Sequence, residues 1–219
     1  MQTITDNSRR TVYYKKGRKQ PLRGKYRIIR GLDEECVKFS VGMINGDYRR
    51  YRDGVLRESG IYAKGKRNST FTEYYQDGVT PRKETPMQQG KIDGTVKTYF
   101  RNGKIEAEKE YKQSVESGRE RRFDSKTGEQ IFESHYIDGK KDGEEWEIFE
   151  DASTLRSRII RHYRNGKLDG SYRVESTRDG KPYITIEGQY TDGEKSGQWI
   201  EHNYDNNTQT CTWHGEGGA

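Results

Sequence analysis

A short motif, aromatic-x-x-Gly-Lys-x-x-Gly, returns along nearly the whole chain and constrains its fold more than anything else in it. With the second glycine as anchor, the positions are Gly24, Gly46, Ser69, Gly94, Gly118, Gly143, Gly170 and Gly197, spaced 22 to 27 residues apart. Four residues earlier stand Gly42, Gly65, Gly90, Ser114, Gly139, Gly166 and Gly193. Seven earlier stand Phe39, Tyr62, Met87, Tyr111, Tyr136, Tyr163 and Tyr190. Two or three after the anchor come Tyr26, Tyr48, Phe71, Val96, Trp146, Tyr172 and Trp199, and five after it Ile29, Tyr51, Tyr74, Tyr99, Phe123 and Ile148. Such a chain is a series of small units, each burying its apolar face only against its neighbours.

The stretch Gly90 to Gly118 shows what the unit is. An alternating run with Val96 and Tyr99 reaches Asn102-Gly103 and returns through Ile105, Ala107 and Tyr111. Asn-Gly between two alternating runs predicts a tight hairpin turn with positive φ. Corresponding turns are expected at Asp53-Gly54, Asp77-Gly78, Thr127-Gly128 and Asp179-Gly180, near Gly31 and near Asn206-Asn207, with a longer one at Glu150-Asp151-Ala152-Ser153. Pro81 and Pro86 cannot donate to a ladder, so the return strand of the third unit is expected to be a loop, an irregular strand or a break. The expected fold is all-β, an elongated single-layer antiparallel sheet of about eight hairpins. It runs continuously over 11–214, opens with a strand at Thr11 to Tyr14, and is flanked by flexible tails at 1–10 and 215–219.

Composition at first argues against any fold. Leu, Ile, Val and Phe total 34 of 219 residues, a poverty normally associated with disorder. The 16 Tyr and 3 Trp supply what is missing, because large rings with polar tips stack along a sheet without a thick core.

Charge is unevenly spread. Residues 1–90 hold 20 basic and 10 acidic side chains, and the remainder 21 and 25. Lys15, Lys16, Arg18, Lys19, Arg23, Lys25, Arg27 and Arg30 cluster near the start, and Glu133, Asp138, Asp142, Glu144, Glu145, Glu147, Glu150 and Asp151 later. Cys36 and Cys211 lie in the first and last units and are expected to be free thiols in a reducing compartment. No apolar run approaches membrane-span length and the first ten residues lack a signal-peptide core, so a cytoplasmic protein is expected.

The histidines and glycines do not fall into catalytic patterns. His135 and His162 occupy the same place in successive units, roughly 9.5 Å apart as two strand spacings, too far to share a metal. They read as a surface position that tolerates several residue types. The glycines recur once per unit, so they serve backbone geometry and not a phosphate loop. No enzyme, cofactor, metal or small-molecule substrate is expected.

The repeated Y-x-x-G-K-x-x-G, clearest at Tyr163 to Gly170 and Tyr190 to Gly197, resembles the MORN-repeat variant of bacteria over about residues 24–204. Departures are Ser69, Ser114 and Glu120, the last standing where an aromatic is usual. The resemblance implies hairpins in one long twisted antiparallel sheet. It also implies a role like that of antitoxin or immunity proteins, with a cognate toxin protein as partner. Eukaryotic relatives imply the alternative of a scaffold or membrane-surface protein, here binding anionic lipid, or else nucleic acid, through residues 9–30.

Residues two and five after the anchor differ by an odd number and so face opposite sides of a regular strand. One aromatic row is expected to pack against neighbouring units and the other to meet the partner. Partner contacts are expected at Tyr48, Tyr74, Tyr99, Trp146, Tyr172 and Trp199, with Glu144 and Glu147 as the electrostatic contact.

Overall fold

The computed structural model describes residues 2–5, 11–18, 20–150, 156–178, 181–203 and 207–215, and the chain divides into two compact units, Met1–Val115 and Glu116–Ala219. Every regular element among the described residues is a strand. In the first unit β1 (Gln2–Thr5) and β2 (Thr11–Tyr14) form a two-stranded sheet. After them come β3 (Gly24–Arg30), β4 (Asp33–Ser40), β5 (Met43–Arg52), β6 (Val55–Ala63), β7 (Lys66–Arg67), β8 (Thr70–Tyr74), β9 (Pro81–Gln88), β10 (Lys91–Ile92), β11 (Gly94–Tyr99) and β12 (Ile105–Lys112). The second unit is built from β13 (Val115–Phe123), β14 (Gln130–Ile137), β15 (Lys140–Lys141), β16 (Gly143–Glu150), β17 (Arg156–Arg164), β18 (Lys167–Arg178), β19 (Lys181–Thr191), β20 (Glu194–Asn203) and β21 (Thr208–His214). Within each unit the pairing is antiparallel and joins strands that are near neighbours in sequence, hairpin after hairpin.

The motif glycines explain the register. The leading glycine and the residue before it both have positive φ at Val41-Gly42, Lys64-Gly65, Gln89-Gly90, Gln113-Ser114, Asp138-Gly139, Asn165-Gly166 and Asp192-Gly193. That is the two-residue turn whose twist matches a hairpin. The amide of the leading residue then donates to the carbonyl two residues before the preceding anchor. This stitch is made by Gly65 to Ile44, Gly90 to Arg67, Gly166 to Lys141 and Gly193 to Leu168, each at 2.8 Å. The amide just before the leading glycine is held too: Lys64, Gln89 and Asn165 donate to Asn45, Asn68 and Asp142, all at 3.0 Å.

The anchor glycine sits opposite the motif aromatic. The register pairs Gly24 with Phe39, Gly46 with Tyr62, Gly94 with Tyr111, Gly118 with Tyr136, Gly143 with Tyr163 and Gly170 with Tyr190. These glycines hold φ of 94° to 119°, a region closed to L side chains in practice. At Ser69, which is not at positive φ, the hydroxyl accepts the Ile61 amide at 2.9 Å, and the outgoing strand is interrupted there as it is just before Gly94 and Gly143.

The expected Asn102-Gly103 turn is a hairpin turn of a different kind. Only Gly103 has positive φ, and the Asn102 side chain instead accepts the Lys104 amide at 3.0 Å. The turn is paired with a bulge, because the register slips between Thr98 and Tyr99 and leaves Glu106 unmatched. Slips recur at the same place at Arg50/Tyr51, Glu73/Tyr74, Arg122/Phe123 and Val174/Glu175. An extra residue on the return strand re-aims the side chains beyond it without disturbing the outgoing alternation.

Three further expectations change. Pro81 and Pro86 lie in β9, an unbroken eight-residue strand. Pro81 is its first residue, where no donor is needed, and Pro86 still accepts the Asp93 amide at 3.0 Å. Gln2–Thr5, placed in a polar tail, is a strand paired with β2. Trp146 does not belong to the row two after the anchor, because Glu145 holds that place, opposite Arg161. The expected turns at 150–153 and 179–180, Asn206 of the last one, and the tail beyond 215 lie outside the described residues, apart from the strand residue Glu150.

Candidate partner-binding face

One face of each unit is filled by its own rings. In the first, Tyr48, Tyr62 and Phe71 interlock, with Tyr62 at 5.3 Å from both neighbours, and Phe39 receives Tyr13 at 5.1 Å and Tyr26 at 5.4 Å. Leu22, Val37, Phe39, Tyr48 and Phe71 form the buried cluster. In the second unit Tyr172, Tyr190 and Trp199 repeat the arrangement, each of the first two at 5.2 Å from Trp199. Both clusters lie on bare backbone. A Cβ on Gly60 would meet the Phe71 ring at 2.7 Å, and one on Gly188 would meet Trp199 closer still. A cation two residues before the anchor covers each: Arg67 lies 4.3 Å over Phe71 and Lys195 4.1 Å over Trp199.

The same row turns polar at Glu145, which is fully buried. Burial alone would push its carboxyl up, but Lys141, Ser134 and Arg161 hold it below the usual carboxylate range. Lys141 pairs with one oxygen and Arg161 donates to the other at 2.7 Å while also reaching Glu147 at 3.3 Å. Burial, with the Glu145 charge behind it, pushes the nearby Tyr163 hydroxyl up. In the first unit the buried Glu58 is held similarly, by Arg67 at 2.6 Å and Arg50 at 3.5 Å.

The opposite face carries positions one, three and five after the anchor, with those eight and ten before the next. Tyr74 meets the Ser59 hydroxyl at 3.0 Å, and Tyr99 donates to Glu84 at 2.7 Å. Burial and that carboxylate push the Tyr99 hydroxyl up to about 12. Trp146 lies under Arg158, 4.4 Å away. His135 Nδ1 lies 3.2 Å from the Glu144 carbonyl, and His162 Nδ1 lies 3.3 Å from the Ser171 carbonyl and 3.0 Å from the Ser171 hydroxyl, each beside the next anchor.

Grooves run along this face. In the second unit one of about 540 Å³ is lined by Glu144, His162, Ser171, Arg173, Glu187 and Gln198, among others. In the first, one of about 390 Å³ lies among Lys25, Arg27, Cys36, Lys38, Asp47 and Arg49. Cys36 and Cys211 are free thiols, and burial together with Glu34 pushes the Cys36 thiol up.

The expected contact set is therefore divided. Tyr48 and Trp199 are buried and Tyr172 half-buried, all within the ring clusters. Tyr74, Tyr99 and Trp146 are half-buried on the opposite face, with Glu144 exposed beside them, and Glu147 is engaged with Arg161 on the ring side. Sequence reasoning placed Lys25 and Arg27 in a linear basic segment and missed Lys38 and Arg49, which share their groove through repeat position. It missed Gly60 and Gly188, whose signal is a glycine nine residues before an anchor followed by an aromatic. It also missed Trp213, 74% exposed opposite Gln198. No family model matches the chain, and no curated protein matches it.

Proposed function

We propose that this chain is a non-catalytic protein-binding module, an immunity or antitoxin protein that holds and neutralises a cognate bacterial toxin. The observation that carries the reading is the division of labour between faces. Rings and buried ion pairs occupy one face of each unit, while the other presents open grooves at equivalent repeat positions, lined by residues on paired strands. Rigid strands that display half-buried Tyr and Trp beside charges are the kind of surface on which binding hot spots form. The motif's resemblance to the bacterial MORN variant supports the same reading.

The test is affinity capture from the source organism's lysate with the tagged chain, washed at high salt and identified by mass spectrometry. One stoichiometric protein retained through the wash is the expected result. Recovery of only lipid or salt-labile mixtures would overturn it.

A second reading, a membrane-surface or scaffold protein, is favoured by one feature. At the β3–β4 turn Ile29 and Leu32 are 62% and 64% exposed beside exposed Arg30. An apolar tip next to cations suits anionic lipid, and loss of vesicle binding in Ile29→Ser/Leu32→Ser would be its signature.

A further inference from the structure

The groove over β3, β4 and β5 differs from its counterpart over β18, β19 and β20 in how its charges are settled. In the second unit Arg173 is paired with Glu175 at 2.8 Å, His202 with Glu187 at 3.0 Å, and His162 lies 3.7 Å from Glu144. In the first, Arg27 is paired with Glu34 at 2.5 Å, but Lys25, Lys38 and Arg49 make no hydrogen bond or ion pair among the described residues. All three are exposed on the groove, and Asp47 is the one carboxylate of its lining.

The register fixes their arrangement. Lys25 is directly opposite Lys38, and Arg27, Cys36 and Arg49 form a line across three adjacent strands. Lys25 and Lys38 are therefore one strand spacing apart, roughly 4.8 Å, and Arg49 lies one strand beyond Lys38 and two residues along, roughly 8 Å from it. Alternate side chains of an extended peptide, roughly 7 Å apart, fall between those two distances. Three cations that outnumber the single lining carboxylate, Asp47, repel one another, and a ligand supplying carboxylates in that register relieves the repulsion.

We propose that this groove is the docking site for an extended acidic segment of the protein partner, whose alternate Asp or Glu side chains meet Lys25, Lys38 and Arg49. This rests on the protein-partner reading above and adds which groove is used and what chemistry fills it. Single-stranded nucleic acid is the poorer occupant, because it needs aromatic faces for its bases. The ring lining this groove, Tyr26, is committed to an edge contact with Phe39. A bilayer is poorer too, since a flat surface does not enter a groove.

The probe is a fluorescein-labelled decapeptide of alternating Glu and Ser, titrated with the full chain at about 50 mM salt and read by anisotropy. Binding is expected, weakened at least tenfold in Lys38→Glu/Arg49→Glu but less than threefold in Lys15→Glu/Lys16→Glu, which removes the same charge outside the groove. Unchanged thermal melting would show that both variants fold. Equal losses in the two variants, no binding at all, or tighter binding of a single-stranded DNA 12-mer or of phosphatidylserine vesicles would overturn the proposal. If lysate capture yields a partner that Lys38→Glu/Arg49→Glu retains as well as the unaltered chain, the groove assignment fails while the protein-partner reading stands.

Discussion

The indole of Trp199 lies against the backbone of Gly188, with Tyr172 and Tyr190 each 5.2 Å from it and 5.7 Å from one another. Phe71 lies on Gly60 in the same way, 6.1 Å from Tyr48 and 5.3 Å from Tyr62. A methyl group on either glycine must displace a ring already held by two neighbouring rings and a cation. Gly188→Ala and Gly60→Ala are each expected to destabilise their unit by about 1–3 kcal/mol through overpacking. Chemical denaturation measures this directly, and for Gly188→Ala a red shift of Trp fluorescence accompanies it. Unchanged midpoints would mean the rings do not rest where they are described.

Val41 holds φ of 49° at the first place of its turn, where the equivalent residues are Lys64, Gln89, Gln113, Asp138, Asn165 and Asp192. A β-branched side chain there crowds its own backbone at a cost of roughly 1–2 kcal/mol, while Asn adopts the conformation cheaply. Val41 is also 45% exposed, so little burial is lost on replacing it. Val41→Asn is expected to raise the melting temperature by about 2–4 °C. Calorimetry decides it, and a fall in melting temperature would refute the strain.

Glu145 should make the second unit acid-sensitive. Its carboxyl is held below its ordinary value of 4.5 in the folded chain. Its contribution is therefore present above that ordinary value and lost as pH falls through the folded one. At neutral pH Glu145→Gln leaves Lys141 and Arg161 facing a neutral amide in a buried site, expected to cost about 3 kcal/mol or more. The difference between variant and unaltered chain should shrink steadily below about pH 4.5. A gap that stays constant down to pH 3 would show that the ion pairs do not supply it.

The repeat made the strand pairing legible residue by residue, since each anchor glycine and its aromatic fall opposite one another as the spacing implies. Turn chemistry was read less well. Asp53-Gly54 is the expected two-residue turn with both φ positive. At Asn102-Gly103, which looks like the strongest hairpin signal, only the glycine has positive φ, and further turns with both φ positive lie at the leading glycine. There a lysine, glutamine or even a valine precedes it, so local propensity at that residue is a poor guide. The expected contact residues were chosen by ring type, which does not separate a ring stacked in the core, such as Tyr48, from one on the open face, such as Tyr74.

What the amino-acid order determined by itself was the periodic part: all-β class, hairpin units, the place of the glycines, and two rows of side chains on opposite faces. These arise from local geometry, namely the two-residue alternation of a strand and the φ that only glycine adopts readily. Tertiary structure alone decided which row is buried, and that Glu145 takes a ring's place between two cations. It also decided that Lys25, Lys38 and Arg49 share a groove with a single carboxylate, Asp47. Those outcomes depend on residues of different strands meeting across the sheet, where the free energy of burying a ring or a charge is set by the neighbour and not by the residue's own type.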